Sequence, residues 1–130
     1  MENKMYYTPT IEDLRVGFEF EFKNDPPPED DWKGDIVECF DNLQWLDGWI
    51  NDGRIRVPYL TKEQIEKEGW TVVASRRRWH VHVVTKKYHG VYDLHTKWLS
   101  VWETERGLPL YRGTCRCIND FRLIMKLIGT

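Results

Sequence analysis

The chain contains no apolar run approaching the roughly 18 residues that would suggest a membrane span, and its opening, Met1 to Tyr7, lacks the basic and apolar regions of a signal peptide. A soluble, cytoplasmic protein with no membrane partner is expected. Cysteine is scarce: Cys39, Cys115 and Cys117 are an odd number, and two of them are separated by a single residue. That is a poor disulfide framework, so the three are expected to be thiols in a reducing compartment. Catalytic signatures are missing too. There is no Gly-x-Ser-x-Gly elbow, no Walker loop, no dinucleotide glycine pattern, and no cysteine in a context that suggests activation. No cofactor is implied. Internal repeats and low-complexity tracts are likewise lacking.

What is present is aromatic area. Seven Trp, six Tyr and five Phe among 130 residues, with 41% hydrophobic and 31% charged residues, are far too rich for a disordered chain. A chain of this length should bury roughly two thirds of its unfolded surface and fits one domain, residues 1–130. The net charge of −2 conceals an asymmetry: residues 1–68 hold 17 Asp/Glu against 8 Lys/Arg, giving −9, while residues 69–130 hold 4 against 11, giving +7. If the fold keeps the two stretches on different faces, each can steer a partner of opposite charge; if they interleave, they neutralise one another.

Patterning predicts an α+β fold. Thr8 to Leu14 reads as a short helical turn with Pro9 near its start and acids in its first turn. Val16, Phe18, Phe20 and Phe22 alternate with Glu19 and Glu21, which predicts a strand. Residues 24–34, with three prolines and a run of acids, read as an exposed loop. From Asn42 to Asp52, Leu43, Leu46 and Ile50 recur at helical spacing with Trp45 and Trp49 beside them, which predicts a helix with a buried aromatic stripe. Arg54 to Tyr59 reads as a strand that Pro58 places at an edge or an end. Thr61 and Gln64 form a capping box before a second helix that Gly69 stops. Beyond Trp70, strands at about 70–74, 78–85, 89–95, 97–104 and 108–117 should pair as an antiparallel meander, with Lys86-Lys87 and Glu105-Arg106-Gly107 as hairpin turns. A terminal helix follows, with Asn119 as its cap and Phe121, Leu123, Ile124, Leu127 and Ile128 on its apolar face.

Several constellations invite a chemical reading. His80 and His82 with Cys115 and Cys117 supply a zinc-type ligand set, but alternation turns the histidines toward solvent and the cysteines toward the core. Glu19 with Glu21, or Glu103 with Glu105, could hold a divalent ion beside Lys86 or Lys97, as a nuclease requires; such acid pairs are also what strand alternation produces unaided. The basic stretch Arg76, Arg77, Arg78, followed by Lys86 and Lys87, is the best binding candidate, since guanidinium groups grip phosphate or carboxylate and Trp79 or Tyr88 could stack on a base. Arg112 and Arg116 would extend that patch if strand order allows. The acids Glu29, Asp30, Asp31, Asp35, Glu38, Asp41, Asp47 and Asp52 offer the opposite surface, a phosphate-like array for a basic groove.

Three stretches carry a resemblance: Tyr7-Thr8-Pro9-Thr10-Ile11-Glu12 running into Val16-Gly17-Phe18-Glu19-Phe20-Glu21; Arg56-Val57-Pro58-Tyr59-Leu60-Thr61-Lys62-Glu63-Gln64-Ile65-Glu66 to Gly69-Trp70; and Tyr111-Arg112-Gly113 leading into the last helix. They resemble a group of short uncharacterised proteins of bacterial phages and prophages. The resemblance implies a context, an accessory protein acting in the cytoplasm of a host bacterial cell, and brings no functional residues with it. With no catalytic set and a polarised, aromatic-rich chain, the expectation is a non-enzymatic protein, monomer or homodimer, that binds and blocks a host protein or ribonucleoprotein. An inhibitor of a bacterial defence system such as a CRISPR ribonucleoprotein is one form this takes. Nucleic-acid binding and a metal-dependent nuclease are the alternatives.

Overall fold

The structure, a computed structural model, describes residues 5–23, 32–39, 42–77 and 79–129. It divides at Tyr59/Leu60 into two compact units. Both are built on antiparallel sheet with short helices, so the chain is α+β and mostly sheet. No helix among the described residues is long and apolar enough to cross a membrane.

The first unit holds strands β1 (Tyr6–Tyr7), β2 (Glu19–Lys23), β3 (Trp32–Ile36) and β4 (Ile55–Pro58) in the order β1-β4-β2-β3, with a 3-10 turn at Ile11–Asp13 and helix α1 (Asn42–Asn51). Thr10 starts the turn and Asp13 closes a capping box on it, with the Thr10 N–H donating to Oδ2 of Asp13 at 2.9 Å. In β2, Phe20 is buried between Glu19 and Glu21, as alternation predicts. Val16 is exposed instead, because the chain turns at Val16-Gly17, and strand geometry begins only at Glu19. Two further expectations need correction. Residues 32–34 belong to strand β3, which pairs along the whole of β2, from Glu19↔Ile36 to Lys23↔Trp32; the rest of the expected loop, 24–31, lies outside the described residues. Among the described side chains of α1 the buried one is Leu46, whereas Trp45 is exposed and Trp49 half-buried, stacked on Phe22 at 5.5 Å.

The second unit contains helix α2 (Lys62–Lys67), strands β5 (Thr71–Ala74), β6 (His80–Val84), β7 (Tyr88–Asp93), β8 (Trp98–Glu103) and β9 (Pro109–Thr114), and helix α3 (Ile118–Ile128). The five strands form the expected meander, β5-β6-β7-β8-β9. The Thr61/Gln64 capping box forms, with the Gln64 N–H donating to Thr61 Oγ1 at 3.2 Å. Gly107 takes φ +65 in the β8–β9 turn, a conformation that L side chains rarely adopt. One face of the sheet is covered by the helices: Val81, Val83, Tyr92, Leu99 and Val101 pack with Ile65, Trp70, Phe121 and Ile124. Burying Phe121 completely contributes about 1.5–3 kcal/mol. Trp70 meets its ring edge-on at 5.8 Å. The start of α3 differs from expectation. Cys117 is the cap, with extended backbone, and Asn119 is buried inside the first turn. The carboxylate of Asp120 accepts the Arg116 N–H at 3.0 Å. On the other side of α3, Leu123 and Leu127 are exposed, so its buried stripe is narrower than the sequence suggests.

Candidate binding surface

The period-two alternation that sends Val81, Val83, Tyr92, Leu99 and Val101 inward sends their neighbours to the opposite, outer face of the five-stranded sheet. Register fixes which of those neighbours stand side by side. Val73, His82, Val91, Ser100 and Arg112 form one row across all five strands. His80, Asp93, Trp98 and Thr114 form a second, and Val84, His89 and Trp102 a third. Neither α2 nor α3 contributes to this face, since their buried residues belong to the inner core.

The outer face is aromatic and histidine-rich. Trp98 is 48% exposed. Trp102 is half-buried and lies nearly parallel to the His89 ring, at 4.9 Å and 14°. Nδ1 of His82 and Nε2 of His89 are 3.1 Å apart, so one nitrogen donates and the other accepts, which requires at least one neutral ring. Burial, and then the neighbouring His82, hold the His89 pKa below its ordinary value. His80 Nε2 contacts Asp93 Oδ2 at 3.0 Å, while Oδ1 of Asp93 accepts the N–H groups of His95 and Thr96 at 2.8 and 3.0 Å. Burial alone would raise the Asp93 carboxyl; those two backbone donors and His80 outweigh it and hold it below the usual range.

The basic residues singled out from sequence separate into two groups. Arg76 and Arg77 lie exposed in the β5–β6 connection, beside a shallow depression of about 650 Å³ that His80, His82 and Val91 also line. Arg78 lies outside the described residues. Lys86 and Lys87 are exposed in the β6–β7 turn, at the other end of β6, ~17 Å away along a five-residue strand. There they border a different hollow, of about 690 Å³, together with Trp70, Tyr88, Arg122 and Lys126. Neighbours in sequence are therefore divided by a full strand. Arg112 joins the outer face, opposite Ser100, and Arg116 instead lies 3.9 Å from Asp120 at the start of α3. Trp79 is exposed, because it sits in the connection before β6 begins.

The other candidates are not assembled. Cys115 and Cys117 are buried, away from the outer-facing His80 and His82, and burial pushes the Cys115 thiol well up. Glu21 pairs with Arg56 at 2.8 Å and Glu103 with Arg106 at 2.7 Å. Among the described residues, no three His, Cys, Asp or Glu side chains are grouped to hold a metal ion. Of the acidic array, Asp35, Glu38, Asp47 and Asp52 are exposed, while Glu29, Asp30, Asp31 and Asp41 lie outside the described residues. Sequence reasoning overlooked Trp98 and Trp102. Their signal was available: spacing of two around Ser100 puts both on the face opposite Leu99 and Val101.

No protein-family model, curated protein or solved structure matches the chain.

Proposed function

We propose that this is a non-enzymatic binding protein that occupies an anionic host macromolecule through its second unit. In the phage setting that the sequence resemblance implies, it acts as an inhibitor of a bacterial defence system such as a CRISPR ribonucleoprotein. The observation that carries the reading is the division of charge between the two units. Up to Tyr59 the chain holds 14 Asp/Glu against 6 Lys/Arg, net −8; from Leu60 onward it holds 7 against 13, net +6. The charges that could have interleaved instead divide with the compact units, and the basic unit is the one with the open aromatic face. A field of one sign on a compact body raises the encounter rate with an oppositely charged partner.

The nuclease alternative has less behind it, because it needs carboxylates available to a cation, and Glu21 and Glu103 are each spent on an arginine. The test is capture of partners from bacterial lysate by the tagged protein, with and without nuclease treatment. A variant carrying Ala at Arg76, Arg77, Arg78, Lys86 and Lys87 should keep its fold and lose the partner. Retained capture by that variant would transfer the contact surface to the acidic residues, and failure of the unaltered protein to retain any specific partner would overturn the reading.

A further inference from the structure

We propose that the outer face of the second unit's sheet binds single-stranded nucleic acid, stacking bases on Trp98 and on the His89–Trp102 pair while Arg112, Arg76 and Arg77 hold phosphates. The inference rests on the proposed function and names the partner chemistry of that surface.

Three features of the face point the same way. The first is the spacing of the rings. Trp98 and Trp102 lie on one strand with Ser100 between them, so their anchor points are ~13 Å apart on the same side of the sheet. Two flat apolar platforms separated by a small polar residue suit successive planar groups on a flexible polymer, and base–aromatic stacking tolerates any sequence because every base has a π-face.

The second feature is the arginines. Among the described residues, no ion pair, side-chain hydrogen bond or ring contact engages the side chains of Arg76, Arg77 or Arg112, and all three are exposed. Arg112 stands in the row of His82, three strands from it and so ~14 Å across the sheet. Arg76 and Arg77 rise at the β5–β6 end, next to the row that contains Trp98. The rings are thus flanked by unspent guanidinium groups, as a strand with bases inward and phosphates outward requires.

The third is the state of the remaining polar groups. Asp93, the one carboxylate in these rows, commits both oxygens to His80, His95 and Thr96. His82 and His89 are committed to each other. The face offers little to a metal ion, and its depression at Arg76 and Arg77 is shallow. A duplex would hide its base faces and leave Trp98 without a stacking partner. An acidic protein would satisfy the arginines but make no use of stacking.

The experiment titrates labelled oligo(U), oligo(dT) and a DNA duplex into the full chain at low salt and follows anisotropy and tryptophan fluorescence. Single strands should bind more tightly than the duplex and quench tryptophan emission, with affinity falling steeply as salt rises. Oligo(U) against oligo(dT) tells whether RNA or DNA is the source. Trp98→Ala should weaken binding by about tenfold, within the range for losing one stacked base. Arg112→Glu should weaken it as well and flatten the salt dependence; both positions are exposed, and circular dichroism verifies that each variant folds. Equal affinity for duplex and single strand, or binding indifferent to Trp98→Ala, would overturn the stacking surface. No oligonucleotide binding together with nuclease-resistant capture of a host protein would also overturn it, yet leave the proposed function standing; no binding of either kind would remove both.

Discussion

The two units use the same materials, antiparallel strands, arginines and tryptophans, and dispose of them in opposite ways. In the first unit the cations are turned onto the rings. The Arg56 guanidinium lies between Tyr6 and Trp32, at 3.6 and 4.2 Å from their centroids, and its Nε donates to Glu21 at 2.8 Å. Arg54 covers Trp49 at 4.2 Å and donates to the Lys23 carbonyl at 3.0 Å. Each such stack contributes about 0.5–2 kcal/mol to holding the sheet together. In the second unit, by contrast, Trp102 stacks on a histidine, Trp98 faces solvent, and Arg76, Arg77 and Arg112 are displayed. Arginine and tryptophan that satisfy each other build a fold; the same residues held apart on one face remain available to a ligand. Composition cannot separate the two cases, and register can.

The contrast between the units depends on the sheet that holds the displayed residues apart. Gly90 lies on the inner side of β7, where an added Cβ would meet Val83 Cγ2 at 2.8 Å and the Ser100 carbonyl oxygen at 2.9 Å. The oxygen belongs to the backbone and cannot rotate away. Gly90→Ala should therefore destabilise the protein by about 3 kcal/mol, the upper end of overpacking costs. Urea unfolding measures it, and a loss below about 1 kcal/mol would mean that the sheet yields and is not a rigid platform.

Next in size is the contrast between an arginine that builds and one that is displayed. Arg56→Ala removes two ring contacts and leaves Glu21, 26% exposed at its side chain, without its partner. A cost of about 2 kcal/mol is expected from the stacking and the charged hydrogen bond together. Arg112→Ala should stay within about 0.5 kcal/mol of the unaltered protein, as surface substitutions without partners do. Thermal melts of the two variants decide the matter. Similar losses for both would erase the distinction between the units.

Much of this fold was legible because local signals and tertiary structure agree. His80-Val81-His82-Val83 alternates cleanly, and Thr61 with Gln64 announces a helix that the structure caps in that manner. Strand β3 was hidden because Trp32-Lys33-Gly34-Asp35-Ile36 has a weak pattern, a glycine and exposed polar residues; it exists through pairing with β2. Asn119 looked like a cap by residue type, yet the helix begins earlier, with Cys117 as its cap, and Asp120 reaches back to the Arg116 N–H just ahead of it. At the candidate surface, adjacency misled. Arg76 and Lys87 are close in sequence, but an extended strand of five residues carries them apart. The rings at Trp98 and Trp102 were legible by alternation, and only pairing across β7 and β8 reveals that His89 completes a stack with one of them.

The smallest effect expected is a dependence of stability on pH that arises at His89 on the outer face. The His89 imidazolium is disfavoured by burial and then by His82, so the ring titrates below its ordinary value in the folded protein. In the unfolded chain it titrates near ~6.5, and between the two values the unfolded state holds the extra proton. The sign follows: the contribution is fully present above the unfolded value and is lost as pH falls through the folded one. Two neighbouring groups bear on this window differently. His82 shares the hydrogen bond, and double protonation breaks it. Asp93, held below the usual carboxylate range, adds stability that is lost only at far more acidic pH. Melting temperature should therefore drop as pH falls through the ordinary histidine value of ~6.5. His89→Phe, which keeps a flat ring against Trp102 but cannot take a proton, should reduce that drop. An unchanged drop in the variant would place the titration elsewhere in the chain and leave the His82–His89 pair as packing, with the first unit's histidine-free stacks as its closest counterpart.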